Sequence, residues 1–475
     1  MRSQVRTLSV LILLVAILAA CAQPTPEVVE KVVTKEVEVE KVVTQIVQET
    51  VIVEVEGTPQ VVEKEVEVIV TATPEPIEEA NLEVWYLSQS PEEIQLVEEL
   101  SSAFAQRHPG VTVTISPYGF DDMNKTIKLA LDSGTGPDVA YVSPGAGAGH
   151  VSYAQAGHLV ELTEVATERG WDQRHPIDSI MYWQKELGGP IWGVPYDITN
   201  VGVFYNKDLF NELDLKPPQT FGEFETLLAT LKDADYTPFS TGALDGWPFD
   251  HYFMILVHAT TPIDKIEALN YLQPGVSLSE DSFVEAATIL KDWIDKGYFN
   301  DNFLAASYQD QNNLFITGET AMNIGGTWNN ATFVQQADFE VGFFPLPRVN
   351  PDIEWHSMVT PNNVWIVPKY TEYQDLAIDY IDYMLSGEVA RALWDTGDIP
   401  TFAFATVPEA TSGLQADVYK AGLDTGIGYY YTNNMPEAME AEWSALQMMA
   451  AGDLTPEEAM EMIEEYHAEA VAEAQ

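Results

Sequence analysis

The sequence predicts an α/β protein of two lobes carried behind a long N-terminal segment, and three observations lead there. At 475 residues and 52.7 kDa the chain exceeds what one hydrophobic core usually covers, so two lobes are expected. From residue 81 onward strand-like and helix-like stretches alternate, while the first 80 residues have a composition of their own. The 11 Trp, 21 Tyr and 19 Phe can fill large cores, so the chain as a whole is not a disordered one.

Residues 82–87, LEVWYL, read as a strand; Ser90, Pro91, Glu92 and Glu93 then form a capping box with proline at the first helical position, opening an amphipathic helix to about Arg107. Residues 111–116 read as a second strand, 122–133 as a second helix and 136–142 as a third strand. This βαβαβ pattern specifies a mostly parallel sheet with helices on both faces, whose ligands sit beyond the carboxyl ends of the strands. Gln89 and Ser143, at two such ends, are therefore candidate contacts. Further along, Thr371–Gln374 and Thr455–Glu458 read as capping boxes of late helices.

The N-terminus gives the compartment. Arg2 and Arg6 precede an apolar run, residues 8–20, which is too short to span a membrane comfortably and ends in Leu18, Ala19, Ala20 and Cys21. Residues 1–21 read as a signal peptide. The L-A-A-C ending resembles the bacterial lipobox, which implies that Cys21 is lipidated and becomes the mature N-terminus. Cys21 is the one cysteine of the chain, so no intramolecular disulfide forms. Residues 22–80 then read as a low-complexity stalk of Val, Glu, Lys and Thr, with VEKVVT at both 29 and 39. Such β-branched density disfavours an isolated helix, and the interleaved charges disfavour a packed core. Fully extended, the 47 residues 27–73 would reach on the order of 150 Å; a self-associating β assembly is the alternative.

Composition and motifs exclude several functions. With 22 Lys and Arg against 74 Asp and Glu, the formal charge of −52 repels phosphate backbones and anionic headgroups, so no nucleic acid partner is expected. The loop Gly145-Ala-Gly147-Ala-Gly149 has His150 where a dinucleotide fingerprint needs glycine, and it follows the third strand instead of the first. There is no nucleophile elbow, phosphate loop or zinc helix, and the eight histidines lack ligand spacing, so no cofactor, no metal and no catalytic residue is assigned.

Six phrases occur in order along residues 81–475: Gly136-Pro-Asp138-Val, Gly193-Val-Pro195-Tyr196-Asp197, Tyr205-Asn-Lys207-Asp-Leu-Phe210, Pro217-Pro-Gln-Thr220-Phe-Gly-Glu223, Phe315-Ile-Thr-Gly318-Glu-Thr-Ala-Met322 with Trp328, and Phe344-Pro-Leu-Pro347. In that order they resemble the extracellular carbohydrate-binding proteins of ABC importers, the maltodextrin- and multiple-sugar-binding type. The resemblance implies a non-enzymatic, periplasmic-binding-protein-like clamp. Its lobes would be 81–202 plus 362–400 and 203–361 plus 401–475, with crossings near Val201 to Tyr205, Val359 to Trp365 and Ile399 to Phe402. It implies a monomer tethered to the cell membrane by its N-terminal lipid, which captures a sugar in the interlobe cleft and delivers it to permease subunits.

A sugar offers apolar C–H faces ringed by hydroxyls, so its site needs flat aromatic platforms and planar polar groups. Trp247 with Asp245, Tyr196 with Asp197, and Asn362 supply that mix. The resemblance places its stacking tryptophan at Trp328, just past Gly325 and Gly326, where the indole N–H is expected to donate to the ligand. A secreted glycosidase using two carboxylates, and a clamp for a polyamine or another non-sugar solute, are the competing expectations.

Overall fold

The computed structural model describes residues 45–55, 58–68, 79–88, 90–143, 149–174, 190–195, 198–361, 363–396, 413–423, 428–429 and 436–473. The chain forms two compact units, residues 1–76 and 77–475. In the first, β1 (Gln45–Val55) pairs antiparallel with β2 (Thr58–Val68) in unbroken register from Gln45↔Val68 to Val55↔Thr58. Only Glu56 and Gly57 separate the strands, the spacing of a two-residue hairpin with glycine in second place. Cys21 lies outside the described residues.

Two sheets build the second unit. The first has the order β4-β3-β5-β12-β6, with β3 (Ala80–Leu87), β4 (Val111–Tyr118) and β5 (Val139–Val142) parallel, and β12 (Val364–Ile366) antiparallel to β5 and to β6 (Val194–Pro195). Alternation along β3 sends Leu82, Val84 and Tyr86 into a core where Tyr86 stacks on Tyr141 at 4.8 Å and both lean on Trp365. The helix Pro91–Arg107 starts where proline and the Ser90 side chain, accepting from the Glu93 N–H, favour it. The Glu93 carboxylate meanwhile accepts from the hydroxyls of Tyr86 and Ser88.

The second sheet has the order β10-β7-β9-β8, with β11 also on β7. Here β8 (Thr237–Ser240) and β9 (Thr320–Gly326) are parallel, while β7 (Ile198–Asn206) runs antiparallel to β9, β10 (Val341–Phe344) and β11 (Met358–Pro361). The helix Trp247–Thr260 is buried from Pro248 to its end, and the helices Asp281–Asp295, Pro436–Ala451 and Pro456–Glu473 complete that core. On the other face of β7 a small cluster gathers Phe204, Phe315, Phe333 and Phe343, and the Phe343 ring lies where a side chain on Gly202 would be. Tyr429 packs against both main cores.

The chain changes sheets between Pro195 and Ile198 and returns between Pro361 and Val364. The first change falls earlier than the resemblance implied, since Val201 to Tyr205 already pair inside β7. A third crossing near residues 399–402 lies outside the described residues. Of the capping boxes, Thr455 and Glu458 bond reciprocally at the start of Pro456–Glu473. Thr371 does not cap: its hydroxyl donates to Asp138 at 2.6 Å and accepts the Tyr373 N–H at 3.1 Å, and the helix begins only at Gln374, after Tyr373.

Candidate ligand-binding site

Strand direction fixes where a site forms. β9 ends at Gly326, opposite Val201 near the start of β7, and parallel β8 ends beside it at Ser240. In the first sheet β5 ends at Val142, opposite Val364 at the start of β12. The carboxyl ends of β5, β8 and β9 therefore all lie on the side where the chain passes between sheets, which is where α/β sheets bind ligands.

At the rim of the second sheet three loops bring rings together. Trp328 sits in the single helical turn Thr327–Asn329 after β9, Trp247 opens the helix Trp247–Thr260, and Tyr308 opens the helix Tyr308–Ile316, which Ser307 and Asp310 cap reciprocally. The Trp247 and Tyr308 ring centroids lie 4.4 Å apart, and those of Trp247 and Trp328 6.2 Å apart at 66°. His251, one turn after Trp247, is buried against both indoles, and burial pushes its pKa down to about 3, so the ring is neutral. Both indoles remain half-buried.

A hydrogen-bond chain locks the cluster. The Trp328 Nε1–H donates to the Tyr308 hydroxyl at 2.9 Å, and that hydroxyl donates to Asn329 Oδ1, which also accepts from Asn312. Burial raises the Tyr308 pKa, keeping the phenol protonated. The Asp245 carboxylate accepts the Tyr308 backbone N–H at 2.7 Å, tying the Trp247 loop to the Tyr308 helix. One expectation changes accordingly. The Trp328 N–H is spent inside the protein, so this residue offers a ring face and no donor. Gly326 makes room for the indole itself, since a Cβ there would lie 2.0 Å from the Trp328 ring.

The other expected contacts are distributed differently. Ser143, at the end of β5, is buried and its hydroxyl donates to Asn124 Oδ1 at 3.2 Å. Gln89, Tyr196, Asp197 and Asn362 lie outside the described residues. The structure adds Tyr308 and His251, which sequence reasoning missed; His251 was legible as the i+4 neighbour of Trp247, and Tyr308 as the residue after a capping serine. It also adds Asn200, whose buried side-chain amide has no hydrogen-bond partner among the described residues.

Residues 89–391 match the family of bacterial extracellular solute-binding proteins. The chain belongs to that family. This solute-binding protein is 23% identical over 349 residues to the multiple sugar-binding protein of Streptococcus mutans serotype c, an alignment covering 71% of this chain and 79% of the relative. It is 25% identical over 373 residues to the maltodextrin-binding protein MdxE of Bacillus subtilis, covering 75% and 81%. Among solved structures, a chitin oligosaccharide binding protein aligns with a TM-score of 0.74 at 22% identity, covering 83% of this chain and 100% of the other. The binding protein RafE in complex with raffinose aligns with a TM-score of 0.68 at 21% identity, covering 82% and 98%. These solved chains share the two-lobed fold of this solute-binding protein.

Proposed function

We propose that this extracellular solute-binding protein captures a sugar or oligosaccharide between its lobes and delivers it to the permease of an ABC importer. The observation that carries this reading is the half-buried group of Trp328, Trp247 and Tyr308 at the strand ends. Flat faces, with the Trp328 N–H and the Tyr308 hydroxyl already bonded within the protein, suit the C–H face of a pyranose, which needs apolar contact and no competing donor. Asp245, with one oxygen on Tyr308, keeps the other as an acceptor for a sugar hydroxyl, and the unpaired Asn200 amide is a second polar contact near the crossing. Ser143, Gln89, Tyr196, Asp197 and Asn362 belong to the same proposed site. The names of the relatives, a multiple sugar-binding and a maltodextrin-binding protein, support the ligand class.

We place the lobe boundaries at the two observed sheet changes, and we propose a monomer held at the membrane by lipid on Cys21. Expression of Cys21→Ser in a bacterial host should release the protein; retention with normal processing would refute the lipid. For the ligand, thermal shift and calorimetry against maltotriose, raffinose, chitotriose and xylotriose should show a stabilising sugar. Binding confers about 2.7 kcal/mol at a hundredfold excess over Kd. No response from any of the four, or sugar cleavage on long incubation, would sink the reading.

A further inference from the structure

One side chain outside the ring cluster touches every segment that carries a ring. Gln311, 1% exposed in the helix Tyr308–Ile316, accepts at Oε1 from the Gly242 N–H at 3.0 Å and the Thr241 hydroxyl at 3.4 Å. Its Nε2 donates to the Ile324 carbonyl at 3.2 Å and Asn323 Oδ1 at 3.3 Å. An amide has two acceptor and two donor sites, so this one is fully used. Its orientation is fixed, because Gly242 N can only donate and the Ile324 carbonyl can only accept.

The position of these bonds matters more than their number. β8 and β9 pair as parallel neighbours up to Ser240↔Asn323, and there the two strands part. Just past that point the Gln311 amide bridges Gly242 on one side to Ile324 on the other, as a peptide unit in a third strand would. From the helix Trp247–Thr260 the Tyr252 hydroxyl accepts from Ile324 N and donates to the Ser240 carbonyl. The strand ends can diverge without leaving buried backbone groups unpaired, and each goes on to deliver one tryptophan.

None of the four Gln311 bonds goes to a ring of the cluster, yet they join the loop leading to Trp247, the strand leading to Trp328 and the helix opened by Tyr308. Gly242 reinforces the junction, since a Cβ there would lie 2.2 Å from the Ser307 carbonyl oxygen. We propose that Gln311 is the positioning residue of the sugar site, setting the spacing of Trp247, Tyr308 and Trp328 through the parted ends of β8 and β9. This rests on the proposed function, but half of its test needs no ligand.

Gln311→Met removes all four bonds at similar length, and Gln311→Glu keeps the acceptors while placing a carboxylate oxygen against the Ile324 carbonyl. The full chain carrying each change is compared with wild type by near-UV circular dichroism, with Trp328→Phe as reference for the ring cluster, and by calorimetry with the best of maltotriose, raffinose, chitotriose and xylotriose. Both variants should lose the tryptophan bands that Trp328→Phe removes and bind at least tenfold more weakly at temperatures where they remain folded. Lowering the pH from 7 to 5 should restore part of the affinity of Gln311→Glu alone, because a protonated carboxyl can donate to Ile324 again. Unchanged bands with affinity within twofold would overturn the proposal, as would a loss of melting temperature alone. If Gln311→Met does not fold, Gln311→Glu at the two pH values decides. If no sugar binds wild type, the sugar reading fails and the spectra still decide for or against Gln311.

Discussion

The rims of the two sheets solve the same problem with different materials. At the first, hydroxyls dominate: Ser88 donates to Glu93 five residues on, and Ser143 to Asn124 on the helix before its own strand. At the second, rings dominate, and each is fixed by rings on other loops: Trp247 by Tyr308, and Trp328 by both. Hydroxyls offer direction, whereas rings held across three loops offer contact area with their geometry settled beforehand. The difference teaches that the second rim should carry most of the affinity and the first most of the discrimination between sugars.

The largest effect should come from removing the central ring. Trp328→Ala should weaken sugar binding by about 2–4 kcal/mol, as expected for an aromatic hot spot. Because the indole is half-buried, it should lower stability by less than the ~3–5 kcal/mol typical of a core tryptophan. Calorimetry and melting curves on one sample separate these, and a variant that melts early yet binds normally would make Trp328 a packing residue. Gly242→Ala comes next: the clash with Ser307 should destabilise by about 1–3 kcal/mol and weaken binding as the loop shifts, both readable in the same two measurements.

A third test uses pH. Burial pushes the Asp250 carboxyl up to about 6, against an ordinary 3.8, while the Glu442 carboxyl and the Trp443 indole N–H pull it down. The folded state therefore holds this proton more tightly than the unfolded state. Stability from this group is full below about pH 4 and lost as pH rises through 6. Asp250→Asn should flatten that part of the melting profile and raise Tm at pH 7, by about 2–4 °C for each kcal/mol recovered. A variant with the wild-type pH profile would assign the dependence to other carboxyls. At the first rim, Ser143→Ala should cost about 0.5–1.5 kcal/mol of stability and less affinity than Trp328→Ala; the reverse ranking would undo the comparison. Deleting residues 27–73 should leave affinity within twofold, which titration of the shortened chain checks.

Much of the first sheet was legible because each signal was local. Ser90 and Pro91 start a helix by their own chemistry, and the buried residues of β3 follow a two-residue period. At the second rim Trp328, Trp247 and Asp245 were legible as residue types beside glycines, and the structure brings them together. Gln311 was not, because its role exists only once a helix from residues 308–316 meets a strand end some 70 residues earlier in the chain. The Trp328 N–H illustrates the limit: a sequence shows that an indole can donate, and only the fold shows that Tyr308 already accepts. Thr371 failed as a cap because its oxygen takes the N–H of Tyr373, only two residues on, and the helix starts beyond it at Gln374.

The hairpin near the N-terminus has a consequence for encounter rates. Because Gln45 and Val68 are paired partners, their Cα atoms lie roughly 5 Å apart, and the 24 residues from one to the other add almost nothing to reach. Of the 47 residues 27–73, that leaves 23 to extend, on the order of 75 Å at most. Were the chain held at its N-terminus as proposed, the shorter tether would keep the domain closer to its anchor, because effective concentration falls as roughly the −3/2 power of tether length. A partner within reach on the same surface would then meet it at about threefold higher local concentration, with no change in either binding surface.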